Sequence, residues 1–260
     1  MVRRVLQNRS RGNPNRGVAP EPSGNPAGGE VRPADSSARA PRRPTAPVVV
    51  NVRSGYCFHQ HEHGARDALR VIAGANHGHR LVAPRGWETR PATARVRASI
   101  FSRVASRLEI AGSRVLDLYA GSGSLGLEAL SRGAAQAVFV DSARAATAAI
   151  TRNLRQLGLE ARARVMLLEM RRALAELART GERFDLIFVD PPFAQDSSGE
   201  VLANLSRLDL IDGHGIVIVR QFHRAPELEV AELARVNLAT LGDHRIALYR
   251  RADAAAAEIV

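Results

Sequence analysis

An open, doubly wound α/β sheet of the Rossmann-like kind is the fold this sequence predicts, and three features predict it. Apolar runs of strand length alternate with helical patterns from Arg114 to Val219. A glycine-rich turn, Gly121-Ser122-Gly123-Ser124-Leu125-Gly126, follows the first of these runs and opens a helix. The run Phe184 to Val189 is then cut off by Asp190-Pro191-Pro192-Phe193, because neither proline can donate a ladder hydrogen bond. That places a carboxylate, two prolines and an aromatic ring at a strand's carboxyl end, where open α/β sheets bind ligands.

In chain order, residues 1–66 are rich in Pro, Gly, Asn, Ser and Arg without a sustained apolar period, and read as a disordered tail. Cys57, His59, His61 and His63 alternate within it, but a flexible tail lacks the fixed geometry a metal site needs, and no metal is expected. Ordered chain is expected from near Leu69. Residues 67–110 form a hairpin-plus-helix extension: two short strands, Arg70 to Gly74 and Gly78 to Val82, and a helix capped by Thr93. Val96, Ile100, Phe101, Val104 and Leu108 fall on one face of that helix. Residues 111–252 form the sheet domain. Its strands run Val115–Tyr119, Ala137–Asp141, Arg164–Glu169, Phe184–Asp190 and Gly215–Val219, with a closing hairpin from Leu228 to Ala234 and Ile246 to Tyr249. Helices cover Leu125–Arg132, Ala143–Leu157 (closed by Gly158), Arg171–Ala178 and Gly199–Leu205. The alanine-rich end, 253–260, is expected to fray.

The chain has 260 residues and a net charge of +11, and all 37 of its basic residues are arginine. The basicity is uneven: residues 1–66 hold 11 arginines against 4 acidic residues. A polyanionic partner fits that charge, since each neutralised phosphate releases counterions; the alternative is a solvated charge that keeps the protein dispersed. Arg95 and Arg97 stand in the first turn of the first helix, where positive charge opposes the helix dipole and asks for a compensating anion. With Arg70, Arg80, Arg90 and Thr93 of the same hairpin-plus-helix extension, Arg95 and Arg97 are the candidate nucleic-acid contacts. A single cysteine excludes an intramolecular disulfide framework and fits a reducing compartment. With no apolar run of membrane-spanning length, a soluble, cytoplasmic, monomeric protein is expected.

The glycine turn satisfies a dinucleotide fingerprint, with Asp141 twenty residues after Gly121. An NAD-type site and an S-adenosylmethionine site therefore compete. Asp117, just before the glycines, suits a cationic amino acid moiety and would repel a pyrophosphate. Asp141 can accept two ribose hydroxyls from either cofactor. Glu169, after the third strand, can accept from an adenine amino group. The fourth-strand motif adds a grip a dehydrogenase would not need: Asp190 and the Pro191 carbonyl can accept from an exocyclic base amino group, and Phe193 offers a stacking face worth about 1–3 kcal/mol. The bland alternative is a strand ending in an ordinary Pro-Pro loop.

Several blocks together resemble the RsmD-type 16S ribosomal RNA guanine-N2 methyltransferases: Arg70-Val-Ile-Ala-Gly74, Arg90-Pro91-Ala-Thr93-Ala-Arg95-Val96-Arg97, Asp117-Leu-Tyr119-Ala-Gly121-Ser122-Gly123, Leu127-Glu-Ala-Leu-Ser-Arg-Gly133 and Asp190-Pro-Pro-Phe193. The resemblance covers Leu69 to Arg250. It implies a class I methyltransferase sheet and S-adenosylmethionine as donor, bound by Asp117, Tyr119, Gly121, Ser122, Gly123, Asp141 and Glu169. It also implies a guanine of small-subunit rRNA as acceptor, in an assembling or assembled subunit, held by Asp190 to Phe193. Departures stand at Ala73, His77, His79, Ala98, Glu169 and Arg220; the last occupies a position where that family frequently has glutamate. Three rivals stay open: an amino-methyltransferase acting on another RNA or DNA base (adenine N6), a dinucleotide-dependent oxidoreductase, and an RNA-binding module without catalysis.

Overall fold

The computed structural model describes residues 69–84, 92–192 and 197–257, and these lie within one compact unit. The tail 1–66, Arg90, Pro91 and Phe193 fall outside the described residues.

Five parallel strands, β1 (Arg114–Leu118), β2 (Gln136–Asp141), β3 (Ala163–Leu167), β4 (Phe184–Val189) and β5 (Ile211–Phe222), are extended by an antiparallel pair, β6 (Leu233–Leu241) and β7 (His244–Arg251). The seven-stranded sheet has the order β3-β2-β1-β4-β5-β7-β6. The connection from β3 to β4 crosses back past β2 and β1, so the order reverses between β1 and β4. That switch point opens a crevice at the carboxyl ends of these two strands.

Helices cover both faces because strand residues alternate between them. One face carries Val115, Phe139, Leu186, Phe188 and Ile218 against α1 (Ala94–Ala105), α2 (Ser124–Ser131) and α3 (Arg144–Leu157). The other carries Leu116, Leu118, Val140, Ile187 and Val219 against α4 (Met170–Arg179) and α5 (Ser198–Arg207). Helix α1 is capped by the Thr93 hydroxyl, which accepts from the Val96 amide, and buries Val96, Ile100, Phe101 and Val104. Phe101 packs on Phe188 with ring centroids 5.6 Å apart, which fastens α1 beneath the end of β4. Helix α3 stops at Gly158, whose φ of +67 is the left-handed conformation glycine adopts without strain.

Four local expectations need correction. The first hairpin closes through a single bridge, Arg70 to Arg80, flanked by Val71 N–H to His79 O (3.0 Å) and Leu81 N–H to Leu69 O (2.7 Å), rather than two full strands. Strand β6 lies at Leu233–Leu241, not Leu228–Ala234; Gly242 (φ +57) and Asp243 make the two-residue turn that fixes this register against β7. Strand β5 starts at Ile211, four residues early, with Gly215 pressed so closely that a Cβ would meet the Phe184 carbonyl oxygen at 2.7 Å. Residues Ala252–Ala257 form a short helix, α6, instead of fraying; the Asp253 carboxylate accepts from the Ala254 amide and pairs with Arg251.

Candidate active site

Register alone brings the predicted site together. Leu118 is paired with both Val140 and Val189, and Val189 with Val219. One step beyond these pairs, Asp141, Tyr119, Asp190 and Arg220 stand side by side along the carboxyl edge of the sheet.

The glycine turn is built on tight backbone contacts. Gly121 and Gly123 have φ of +56 and +76. A Cβ on Gly126 would sit 2.4 Å from Phe139 Cε1, so the first turn of α2 lies against that ring. Tyr119 is a non-glycine residue at φ +59, a conformation costing about 1–3 kcal/mol that persists only where the surroundings enforce it. Here its hydroxyl pairs with the Ser197 hydroxyl at 2.8 Å, joining the glycine turn to the start of α5. Ser122 is buried, and its carbonyl accepts from Asn153.

The acidic residues divide in role. Asp141 is half-buried and uses one oxygen for the Gly121 amide (2.9 Å) and the other for the Ala143 amide (2.8 Å). Each oxygen keeps a second lone pair, which suits two neighbouring hydroxyl donors. Asp117 departs from expectation. It is 1 % exposed and accepts from the Gly126 amide at 2.9 Å, so it anchors the turn from beneath rather than lying open to a ligand's ammonium group. Burial pushes its carboxyl well above the usual carboxylate range; the Gly126 amide opposes this, while the charges of Asp190 and Asp141 reinforce it. Glu169 lies two residues past β3 and caps α4, accepting from the Arg171 and Arg172 amides, with its side chain exposed.

At the end of β4, Asp190 is gripped by Arg220. Nε donates to Oδ1 at 2.6 Å and an Nη donates to Oδ2 at 2.9 Å, with side-chain exposures of 8 % for Arg220 and 15 % for Asp190. Pro191 is buried and Pro192 exposed. No donor among the described residues reaches the Pro191 carbonyl oxygen. A small cavity of about 30 Å³ lies beside the prolines, lined also by Ser198, Arg220 and Phe222. The sequence gives no local sign that Arg220 meets Asp190; the pairing follows only once β4 and β5 are known to be neighbours in that register.

The arginines of the extension also separate. Arg80 and Arg95 are exposed, as is the capping Thr93. Arg70 is half-buried and donates to the Gly78 carbonyl within its own hairpin. Arg97 is not a surface residue. It is 1 % exposed and donates to the carbonyls of Ala92 (2.6 Å) and Arg70 (2.5 Å), so it ties α1 to the hairpin and presents nothing to a phosphate. Burial lowers the pKa of its guanidinium, and the charge of Glu128 opposes this. Two residues that join the extension to the sheet were not foreseen. Glu128, fully buried in α2, accepts from the amides of Ile72 (2.7 Å) and Ala73 (3.0 Å) and from Arg132 Nε (2.8 Å). Asn153, fully buried in α3, pairs with both the amide and the carbonyl of Val82 and reaches the Ser122 carbonyl. Beside them, Gly74 (φ +85) lies where a Cβ would overlap the Ser131 carbonyl, at 1.9 Å.

Residues 69–250 match the family described as Conserved hypothetical protein 95. The chain belongs to that family. Among relatives of known name, the chain is 36 % identical over 185 residues to the Bacillus subtilis protein YlbH, provisionally named an rRNA methyltransferase, covering 70 % of this chain and 99 % of that one. It is 39 % identical over 131 residues to Ribosomal RNA small subunit methyltransferase D of Escherichia coli, covering 50 % of this chain and 63 % of that one. Among solved structures, the Escherichia coli protein yhhF, provisionally titled a methyltransferase, superimposes with a TM-score of 0.61 at 32 % identity, over 71 % of this chain and 98 % of that one. The family assignment and this likeness make the sheet that of a class I methyltransferase.

Proposed function

We propose that this protein transfers a methyl group from S-adenosylmethionine to the exocyclic N2 amino group of a guanine in small-subunit rRNA. The observation that carries the reading is the placement of Asp190 and the Pro191 carbonyl, two acceptors on the strand next to the glycine turn, at the switch point of the sheet. Support comes from the names of the relatives, which are ribosomal RNA methyltransferases, one of them of the small subunit.

S-adenosylmethionine, when bound, supplies an electrophilic methyl group on a sulfonium. The turn at Gly121 to Gly126 would receive it, with Asp141 accepting from the ribose hydroxyls. Exposed Glu169 stands beyond β3, where an adenine amino group would lie; Tyr119 and Ser122 shape the turn between them. The guanine amino nitrogen is a poor nucleophile because its lone pair is delocalised into the ring. Asp190 and the Pro191 carbonyl accept its two hydrogens, which favours a pyramidal nitrogen with its lone pair directed at the turn. Rate then comes from positioning and electrostatics rather than from a strong base. An amino group inside a helix cannot reach Asp190, so the base must be flipped or single-stranded, and Phe193 offers it a stacking face. Exposed Arg80 and Arg95, together with Arg70 and Arg90, would bind the phosphate backbone. The substrate is rRNA in an assembling or assembled small subunit, and the protein acts as a monomer in the cytoplasm.

The test is transfer of labelled methyl onto assembled small subunits, protein-free rRNA and DNA, followed by nucleoside analysis. Label in N2-methylguanosine from rRNA supports the reading, whereas label confined to DNA or to N6-methyladenosine overturns it.

A further inference from the structure

We propose that Arg220 is a positioning and specificity-determining residue: its two-pronged grip fixes the direction of both Asp190 oxygens, and so selects guanine N2 over adenine N6. This rests on the amino-group reading of the site. The contact is planar and two-pronged, 2.6 and 2.9 Å, between groups mostly withdrawn from water. Such a fork restricts both rotation and tilt of the carboxylate, which a single hydrogen bond or a point charge does not. It uses one lone pair on each oxygen and leaves one on each for a ligand.

Asp190 alone does not choose between bases, because guanine N2 and adenine N6 are both amino donors. The difference lies in the ring atoms beside the amino group. Guanine N2 is flanked by the N1–H donor and the N3 acceptor, while adenine N6 is flanked by two acceptors, N1 and N7. A carboxylate free to turn would serve adenine well, accepting from N6 with one oxygen while swinging the other away from the ring lone pair. A carboxylate held by a guanidinium fork cannot turn, so its free oxygen lone pairs meet adenine's N1 or N7 lone pair. On the guanine edge the same oxygens meet N1–H. The other amino hydrogen goes in either case to the Pro191 carbonyl. The neighbouring strands frame the fork: β4, which leads into Asp190, pairs with β1 on one side and with β5, which carries Arg220, on the other. Among the described residues, Arg220 is the cation paired with the motif carboxylate.

The test uses the full chain with Arg220→Met and Arg220→Lys, assayed on small-subunit rRNA and on the same rRNA with the mapped target guanosine changed to adenosine. Arg220→Met should lower kcat about 10²-fold, the scale of a misplaced reacting group, at nearly unchanged KM for RNA and unchanged affinity for S-adenosylmethionine. Its preference for guanosine over adenosine should narrow by about tenfold or more, one favourable base contact's worth of discrimination. Arg220→Lys, which keeps the charge without the fork, should recover only part of the rate. Full kcat in Arg220→Met, or an unchanged guanosine preference, overturns the proposal. Should Arg220→Met not bind S-adenosylmethionine, Arg220→Lys decides: a kcat equal to wild type overturns the proposal, and a loss of about tenfold at constant KM supports it. Wild-type protein that methylates adenosine instead overturns the guanine reading itself, whatever the variants do.

Discussion

Replacing Glu128 tests how the extension is held to the catalytic sheet. The carboxylate is 0 % exposed and joins three donors, the amides of Ile72 and Ala73 and the Arg132 guanidinium, at 2.7 to 3.0 Å. Glu128→Ala leaves two backbone amides and a partly buried cation without their acceptor. Each hydrogen bond to a charged group contributes about 1.5–3 kcal/mol, but contributions to one carboxylate do not add, and removal of one partner of a buried ion pair costs about 3–5 kcal/mol in all. At about 2–4 °C per kcal/mol for a unit of this size, Tm should fall by roughly 6–20 °C. Glu128→Gln, which keeps the shape and one acceptor oxygen, should recover roughly half of that loss. The assay is thermal unfolding followed by circular dichroism, run beside S-adenosylmethionine and RNA binding on the folded variant at low temperature. RNA affinity should fall more than cofactor affinity, since the hairpin hangs from Glu128 while the glycine turn does not. A Tm within about 2 °C of wild type would refute the idea that this carboxylate fastens the hairpin.

Three further outcomes are expected. Gly126→Ala forces a methyl group against the Phe139 ring, and titration calorimetry should show weakened S-adenosylmethionine binding, partly restored by adding Phe139→Leu. Asp117→Asn should stabilise the protein increasingly above the ordinary carboxylate value of 3.8 and make no difference below it. The sign follows because the raised folded-state pKa gives stability present at low pH and lost as pH rises through it, so a pH-independent difference in Tm would sink the claim. Arg95→Ala should flatten the salt dependence of RNA binding by about 0.7–0.9 in log–log slope with little effect on Tm. Arg97→Ala should instead lower Tm with no selective effect on that slope, and the reverse pattern would show that the two roles are exchanged.

Much of the parallel sheet was legible because a strand covered on both faces is apolar along its length, as Leu186–Val189 and Ile216–Val219 are, and glycines end the helices between. Edge strand β6 was misplaced for the opposite reason. Its half-exposed stretch Leu233–Leu241 is no more apolar than the overlapping Leu228–Ala234, and only pairing with β7 through the Gly242-Asp243 turn fixes it. The burial of Arg97 had a readable sign, since it lies four residues before Phe101 and seven before Val104 on the same face; charge outweighed spacing in the reading. Asp117 and Glu169 were correctly located near the carboxyl edge, but sequence does not reveal whether a carboxylate faces a ligand or a neighbouring amide. Asp117 went to Gly126 and Glu169 to the amides of α4. The Arg220 grip on Asp190 is a purely tertiary fact, created when two residues thirty apart in sequence are brought side by side by adjacent strands.

The most direct test of the central claim compares wild type, Asp190→Ala and Asp190→Asn for labelled methyl transfer to small-subunit rRNA, with S-adenosylmethionine affinity measured on each. If Asp190 receives the target amino group, wild type yields N2-methylguanosine, Asp190→Ala yields none, and all three bind the cofactor alike. Undiminished transfer by Asp190→Ala, or a loss of cofactor binding that matches the loss of transfer, would contradict it.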